Sequence, residues 1–199
     1  MLRVTIFDYG AGNLHSLAKA LSADDVRLAV VADPRAALET DVLLLPGVGN
    51  FSHAAARTLS ARGDMRRAIL AGLPTLGVCL GMQLLFDESD EGPGQGLGVV
   101  AGRVSSLRTT RRPQIGWNTI DDARDPLFQA APLSTAYYAN GFVCRPLDTR
   151  SVIAWSTHES DRFPAAIRTG RTLGVQFHPE KSSAAGVGFL RAFLEEARQ

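Results

Sequence analysis

Four short apolar runs fall within the first eighty residues, at 4–7, 26–31, 42–45 and 74–78, and each is followed within three residues by Asp, Pro or Gly. Between them the apolar residues change period. Leu14, Leu17, Ala18 and Leu21 recur at helical spacing, helical patterns follow the third run through residue 71, and another covers 80–86. Runs this short and largely apolar are expected to be strands buried on both faces. Strands of that kind alternating with helices predict a parallel sheet with helices packed on either side. Asp33-Pro34 offers a further helix start, an N-cap followed by Pro at the first helical position.

The second half reads differently. Segments 99–107, 114–120, 137–144 and 152–155 have strand character and are joined by loops, with no clear helix between them. Residues 165–167 and 173–177 flank the Gly-containing connection 168–172, a hairpin, and a closing helix covers 184–197. No repeat, low-complexity stretch or flexible linker separates the halves. The expected architecture is therefore one α/β domain spanning 1–199, with a central mixed, mainly parallel sheet to which both halves contribute strands. A chain of 199 residues with 45% hydrophobic residues can fill the core of such a domain.

Charge excludes some functions. Charged residues make up 21% and nearly cancel, for a net charge of +1, which is not the basic excess of a nucleic-acid protein. Arg108, Arg111 and Arg112 form a short cluster that suits a solvated loop or contact with an anionic surface. Two cysteines, Cys79 and Cys144, do not make a disulfide framework. The opening MLRVTIFDYGAG lacks the pattern of a signal peptide, and no apolar run approaches a bilayer span. A cytoplasmic location is expected.

The sharpest local feature is Gly77-Val78-Cys79-Leu80-Gly81, where an apolar strand turns at once into a helix. This is the nucleophile-elbow pattern with Cys in place of Ser. Small neighbours relieve the crowding of a strained turn, the following helix N-terminus favours a thiolate, and the Leu80 N–H points where an oxyanion would form. A buried structural Cys in a glycine-bracketed turn is the alternative. Among the four histidines, His15 and His53 fall in helical segments and His158 in a loop without catalytic pattern. His178 instead ends an apolar strand and precedes Pro179-Glu180, so Glu180 could hold the second ring nitrogen. His-Pro-Glu by itself suits a surface turn equally well; with the elbow it completes a Cys-His-Glu triad. Pro46-Gly47-Val48-Gly49 also follows an apolar strand. Its glycines allow close approach of backbone to a ligand and a second oxyanion donor at Val48, or simply a tight turn.

Taken together and in this order, these pieces resemble the class I (triad) glutamine amidotransferases over essentially the whole chain. The residues behind the resemblance are Asp8-Tyr9-Gly10-Ala11-Gly12-Asn13, Pro46-Gly47-Val48-Gly49-Asn50-Phe51, Gly77 to Gln83, Pro113-Gln114-Ile115-Gly116-Trp117-Asn118, and Gln176-Phe177-His178-Pro179-Glu180-Lys181-Ser182. The opening motif, the Pro-Gly-Val-Gly-x-Phe segment and Gly-Trp-Asn narrow it to glutaminase subunits of imidazole glycerol phosphate synthases. The resemblance implies a flavodoxin-like fold, Cys79 as nucleophile, His178 as base and Glu180 as its orienter. It implies that Gly47, Gly49 and Gln83 help hold glutamine, that the Val48 peptide must reorient to complete an oxyanion hole, and that Trp117 and Lys181 meet a barrel-shaped cyclase subunit in a heterodimer. No metal or organic cofactor is implied. Two departures stand out: Asn140-Gly141-Phe142 replaces a His-Ser-Tyr or His-Thr-Tyr common in relatives, and Ser52 replaces a frequent Gly. The competing functions are a glutaminase of another pathway (anthranilate or vitamin B6 synthesis), a binding or regulatory subunit without catalysis, and a cysteine hydrolase or peptidase on a similar fold.

Overall fold

The computed structural model describes residues 1–10, 12 and 14–199; Ala11 and Asn13 of the opening motif lie outside the described residues. Its first half follows the alternation in the sequence: β1 (Leu2–Phe7), α1 (Leu14–Leu21), β2 (Val26–Val31), β3 (Val42–Leu45), α2 (Phe51–Thr58), α3 (Arg62–Leu70), β4 (Thr75–Val78) and α4 (Leu80–Leu84). The second half adds β5 (Glu88–Ser89), β6 (Gly102–Ser106), β7 (Gln114–Thr119), α5 (Pro126–Ala130), β8 (Thr135–Asn140), β9 (Phe142–Pro146), β10 (Val152–His158), β11 (Asp161–Thr169), β12 (Thr172–Val175) and α6 (Ser183–Ala197).

Among the described residues the main sheet has seven strands in the order β10-β11-β12-β4-β3-β1-β2. The pairings from β12 to β2 are parallel, and β11 is antiparallel to both β10 and β12. The period-two rule explains how short strands hold two cores at once. On β3, Val42 and Leu44 face a cluster with Leu17 and Leu21 of α1 and Phe189, Leu190 and Phe193 of α6. Leu43 and Leu45 face the opposite cluster with Phe51 of α2, Met65 and Ile69 of α3, and Met82 of α4.

The structure refines several expectations. The second half does contribute β10, β11 and β12 to the main sheet, but the other strands form two small sheets, β5-β6-β9 and β7-β8. The run at 137–144 is not one strand. It breaks at Gly141, with β8 pairing to β7 and β9 to β6, so the two parts leave for different sheets. Asp33-Pro34 yields only a three-residue 3₁₀ turn, Ala36–Leu38, because β3 starts almost at once. The same dipeptide at Asp125-Pro126 opens α5, a helix not expected from the sequence; Asp125 caps it by accepting from the Leu127 N–H. The helix expected over 80–86 ends at Leu84.

The parallel order fixes where chemistry can sit. The carboxyl ends of β1, β3, β4 and β12 lie side by side, and they deliver, in turn, the opening loop, the 46–49 loop, Cys79 and the segment leading to His178.

Candidate active site

Cys79 sits between β4 and α4 with φ 48° and ψ −102°. A non-glycine residue there is strained by about 1–3 kcal/mol, tolerated only where the surroundings over-determine it. Those surroundings are visible. The Cys79 N–H donates to Val175 O at 2.7 Å, and Cys79 O accepts from the Gln83 N–H at 3.1 Å. A Cβ on Gly81 would overlap the Leu45 carbonyl, so only glycine lets α4 pack this close to β3. α4 has five residues, about a turn and a half, and its macrodipole is correspondingly small.

β12 ends at Val175, two residues earlier than the sequence suggests, and the chain reaches His178 through Gln176 and Phe177. His178 is held from three directions. Its N–H donates to Tyr137 O at 2.8 Å, its carbonyl accepts from the Ser182 hydroxyl at 2.6 Å, and its Nδ1 meets Glu180 Oε1 at 2.9 Å. Nε2 is thereby left for the thiol of Cys79. His178 and Cys79 are buried, at 1% and 5% exposure. Burial disfavours charge on the ring, but hydrogen bonds to Cys79 and Glu180 and their negative charges outweigh it, and the His178 pKa is pushed up to about 9. The other Glu180 oxygen, Oε2, is buried without a hydrogen bond among the described residues.

The remaining histidines are elsewhere. His15 and His53 are exposed on α1 and α2, and His158 is the last residue of β10 rather than a loop residue, its Nε2 bonded to Arg111 O at 2.8 Å. Cys144 is buried on β9, and burial holds its thiol well above the usual range.

Cys79 and His178 open onto a cavity of about 210 Å³ whose walls include Gly47, Val48, Gly49, Leu80 and Gln83. Every expected substrate and oxyanion residue therefore reaches one cavity. Gly47 packs where a Cβ would stand 3.0 Å from His178 Cε1 and from Val78 O, and Gly49 has φ +150°. The loop is anchored by the opening motif: the Tyr9 hydroxyl donates to Pro46 O, and the Gly12 N–H donates to Val48 O at 3.1 Å. Leu80 is the first residue of α4, so its N–H has no acceptor within the helix.

Gln83 Nε2 is engaged by Phe142 O at 3.1 Å, which turns its carbonyl into the group available to a ligand. Asn140, Gly141 and Phe142, where the sequence departs from relatives, form another wall. Asn140 Nδ2 also donates to Phe142 O, while its Oδ1 is buried without a partner among the described residues. Ser52 does not line the cavity; it lies against Gly92. Glu91 is a cavity residue that the sequence did not suggest. Its Oε2 accepts from the Phe51 N–H at 2.7 Å, and nothing in the acid- and glycine-rich run 87–96 marks it out from its neighbours.

Trp117 lies on β7, 57% exposed beside Ile115 at 68%, and packs edge-to-face on Tyr137 at 6.4 Å between ring centroids. Lys181 Nζ sits 5.8 Å from the centre of the same Tyr137 ring, and Lys181 also borders the cavity. Trp117 is thus a strand residue with an open face, not a core residue. A larger groove of about 600 Å³ lies elsewhere, beside Asp125, Arg168 and Glu196, with none of Cys79, His178 and Glu180 in its walls. Among the described residues no group of three His, Cys, Asp or Glu side chains is placed to hold a metal, and no helix is long and apolar enough to cross a membrane.

Comparison with known proteins bears on the family and the fold. The family described as "Glutamine amidotransferase class-I" matches residues 5–197. The chain is 43% identical over 197 residues to the imidazole glycerol phosphate synthase subunit HisH of Symbiobacterium thermophilum, covering 96% of this chain and 92% of that one. It is 41% identical over 195 residues to the HisH subunit of Thermus thermophilus, covering 95% of each. Among solved structures it superposes on a glutamine amidotransferase with TM-score 0.74 at 20% identity, over 98% of this chain and 99% of the other, which speaks for the fold.

Proposed function

The chain belongs to the class-I glutamine amidotransferases, and from that premise we propose that Cys79, His178 and Glu180 are its catalytic triad. The chain is the glutaminase subunit of imidazole glycerol phosphate synthase, the subunit that releases ammonia from glutamine for histidine biosynthesis. It works with a cyclase subunit that consumes the ammonia. That the cyclase is a barrel, that the two form a heterodimer, and that the pair works in the cytoplasm are parts of the proposal, as is the reading of residues 1–199 as one domain.

The observation that carries the site assignment is the continuous set of contacts from Glu180 through His178 to Cys79 in the wall of a small cavity. Its volume, about 210 Å³, is below the ~300–1,000 Å³ of drug-sized ligand sites and suits one free amino acid rather than a peptide. The thiolate of Cys79 attacks the side-chain amide carbon of glutamine, forming the C–S bond. His178 delivers its proton to the amide nitrogen as the C–N bond breaks and ammonia leaves. His178 then takes a proton from water, whose oxygen displaces the thiolate to give glutamate. The N–H groups of Val48 and Leu80 stabilise the oxyanion in both steps. Gly47 and Gly49 let the loop lie against the substrate, the Gln83 carbonyl faces it, and the Glu91 carboxylate is the acid on the cavity wall suited to its α-ammonium. Trp117 and Lys181 meet the cyclase subunit, supported by the exposed Trp117 face next to the cavity rim.

A thiol-trapping glutamine analogue tests the assignment. It should modify Cys79 alone and stop glutamine hydrolysis at one equivalent. Labelling of Cys144, or hydrolysis that survives full labelling, would remove Cys79 from the mechanism.

A further inference from the structure

Resting on the assignment of Cys79 as nucleophile, we propose that Gln176 is a further catalytic residue, whose side-chain amide donates a hydrogen bond to the Cys79 sulfur and stabilises it as a thiolate. Gln176 is completely buried, and its Nε2 stands 3.5 Å from Cys79 Sγ, within hydrogen-bond reach for sulfur. The other end of the same amide, Oε1, is buried with no partner among the described residues. A glutamine kept in the core only for structure would pair its carbonyl or be replaced by an apolar side chain of the same shape. A buried acceptor left unpaired is a cost that calls for a compensating role.

Local geometry accounts for the placement. The Gln176 N–H donates to Ala165 O at 2.9 Å, which continues the ladder between β11 and β12 past its last paired residues. In an extended segment, residues two apart point the same way. Gln176 and His178 accordingly both reach Cys79. Phe177 between them points into the core against Tyr138 and Phe189. The sulfur therefore has two donors from one segment, and they differ in kind. His178 gains and loses a proton during turnover, whereas a primary amide donates at every stage. It can hold the thiolate before attack, and again when the thiolate is expelled from the thioester by water, with no bond made or broken at Gln176 itself. The direction of the amide matters. With Nε2 toward the sulfur it favours negative charge there, and with Oε1 toward the sulfur it would oppose it.

The measurement is the pH dependence of Cys79 alkylation by chloroacetamide, read by mass spectrometry on the full-length chain in complex with its cyclase subunit, together with kcat and KM for glutamine. Two variants of nearly unchanged shape are compared with wild type. Gln176→Met removes the donor, and Gln176→Glu replaces it with a group that repels the thiolate once ionised. The alkylation midpoint should rise by about one unit in Gln176→Met, equivalent to roughly tenfold less thiolate at a pH below both midpoints. It should rise further in Gln176→Glu. In both, kcat should fall at least about tenfold while KM stays within about threefold. A lost structural glutamine would lower thermal stability or raise KM without moving the alkylation midpoint, so an unmoved midpoint in either folded variant overturns the proposal, whatever happens to kcat. If the wild-type chain itself shows no alkylation-sensitive glutaminase activity, the fault lies with Cys79 as nucleophile and not with Gln176.

Discussion

At the scale of single residues, the positive φ of Cys79 and the raised pKa of His178 belong to one arrangement: a strained cysteine, proposed as the nucleophile, held against a histidine that prefers its proton. Cys79→Ser keeps the size of the side chain but replaces a readily ionised thiol with an alcohol. It should abolish glutamine hydrolysis while the chain still folds and joins its partner, and the complex should still make product from ammonium salts. Glutaminase activity within tenfold of wild type would contradict the nucleophile assignment. His178 and Glu180 should not be equivalent. His178→Ala removes the proton carrier, whereas Glu180→Gln leaves a base that is less well oriented, so the first should cost roughly ten- to a hundredfold more kcat than the second. The same pair predicts a pH dependence of stability. The folded pKa of His178, about 9, is above its ordinary value of 6.5, so its stabilising contribution is complete below about pH 6.5 and is lost as pH rises through 9. Chemical denaturation between pH 6.5 and 9 should therefore show falling stability, and the slope should be shallower in Glu180→Gln. An equal slope would mean that Glu180 does not hold the charged ring.

At the scale of elements, the site depends on how closely α4 can approach β3 and on how the 46–49 loop is tied down. Gly81 is the contact point of the first, and its surroundings are backbone, which cannot move aside as a flexible side chain can. Gly81→Ala should destabilise the fold by about 3 kcal/mol or more, a fall of about 10 °C in Tm for a chain of this size. Gly188 is the opposite case, a glycine within α6 with no atom near the position a Cβ would take. Gly188→Ala should raise stability by about 0.5–1 kcal/mol through helix propensity alone. Calorimetry on both variants checks the pair, and similar Tm values would show that packing at Gly81 relaxes. The loop is tied by Tyr9 to Pro46 O and by Gly12 to Val48 O, so the opening motif acts as an anchor for the 46–49 loop next to it.

At the scale of the whole molecule, the exposed strip of β7 and the cavity rim meet at Tyr137 and Lys181, so whatever covers Trp117 also borders the cavity proposed to hold glutamine. Trp117→Ala should weaken the complex or uncouple glutamine hydrolysis from product formation, with little change in the Tm of the isolated chain, because the indole has little burial to lose. A large fall in Tm with normal coupling would make Trp117 a core residue. The isolated chain should also be a poor glutaminase. Gly47 and Gly49 leave the intervening peptide able to turn, and a missing oxyanion donor costs roughly two to three orders of magnitude in rate. Binding of the partner and its nucleotide would then favour the competent orientation, which requires that they bind it more tightly. Steady-state rates for the free chain, the complex, and the complex with nucleotide decide this, and a free chain already at the full rate would show a preformed hole.

Periodicity and punctuation by themselves determined the parallel half of the sheet, because strands buried on both faces are written as short apolar runs, most plainly at 42–45; only the structure shows that 26–31, which carries Arg27, is the half-exposed edge strand β2. The elbow and His-Pro-Glu were legible for a related reason, since Gly77, Gly81 and Pro179 are local backbone requirements. The second half was harder to read. Whether residues 137–144 form one strand or two depends on which sheet each part joins, and the sequence carries no record of partners. α5 leaves no periodic signal in the sequence, because five residues are too few to show one. Glu91 needed the tertiary structure altogether, and Gln176, although part of the motif that ends in His178, needed it for its contact: only folding brings one to the cavity wall and the other within 3.5 Å of the sulfur. Local backbone demands leave a signature in the residues that satisfy them, whereas contacts between distant segments are decided by the packing that brings them together.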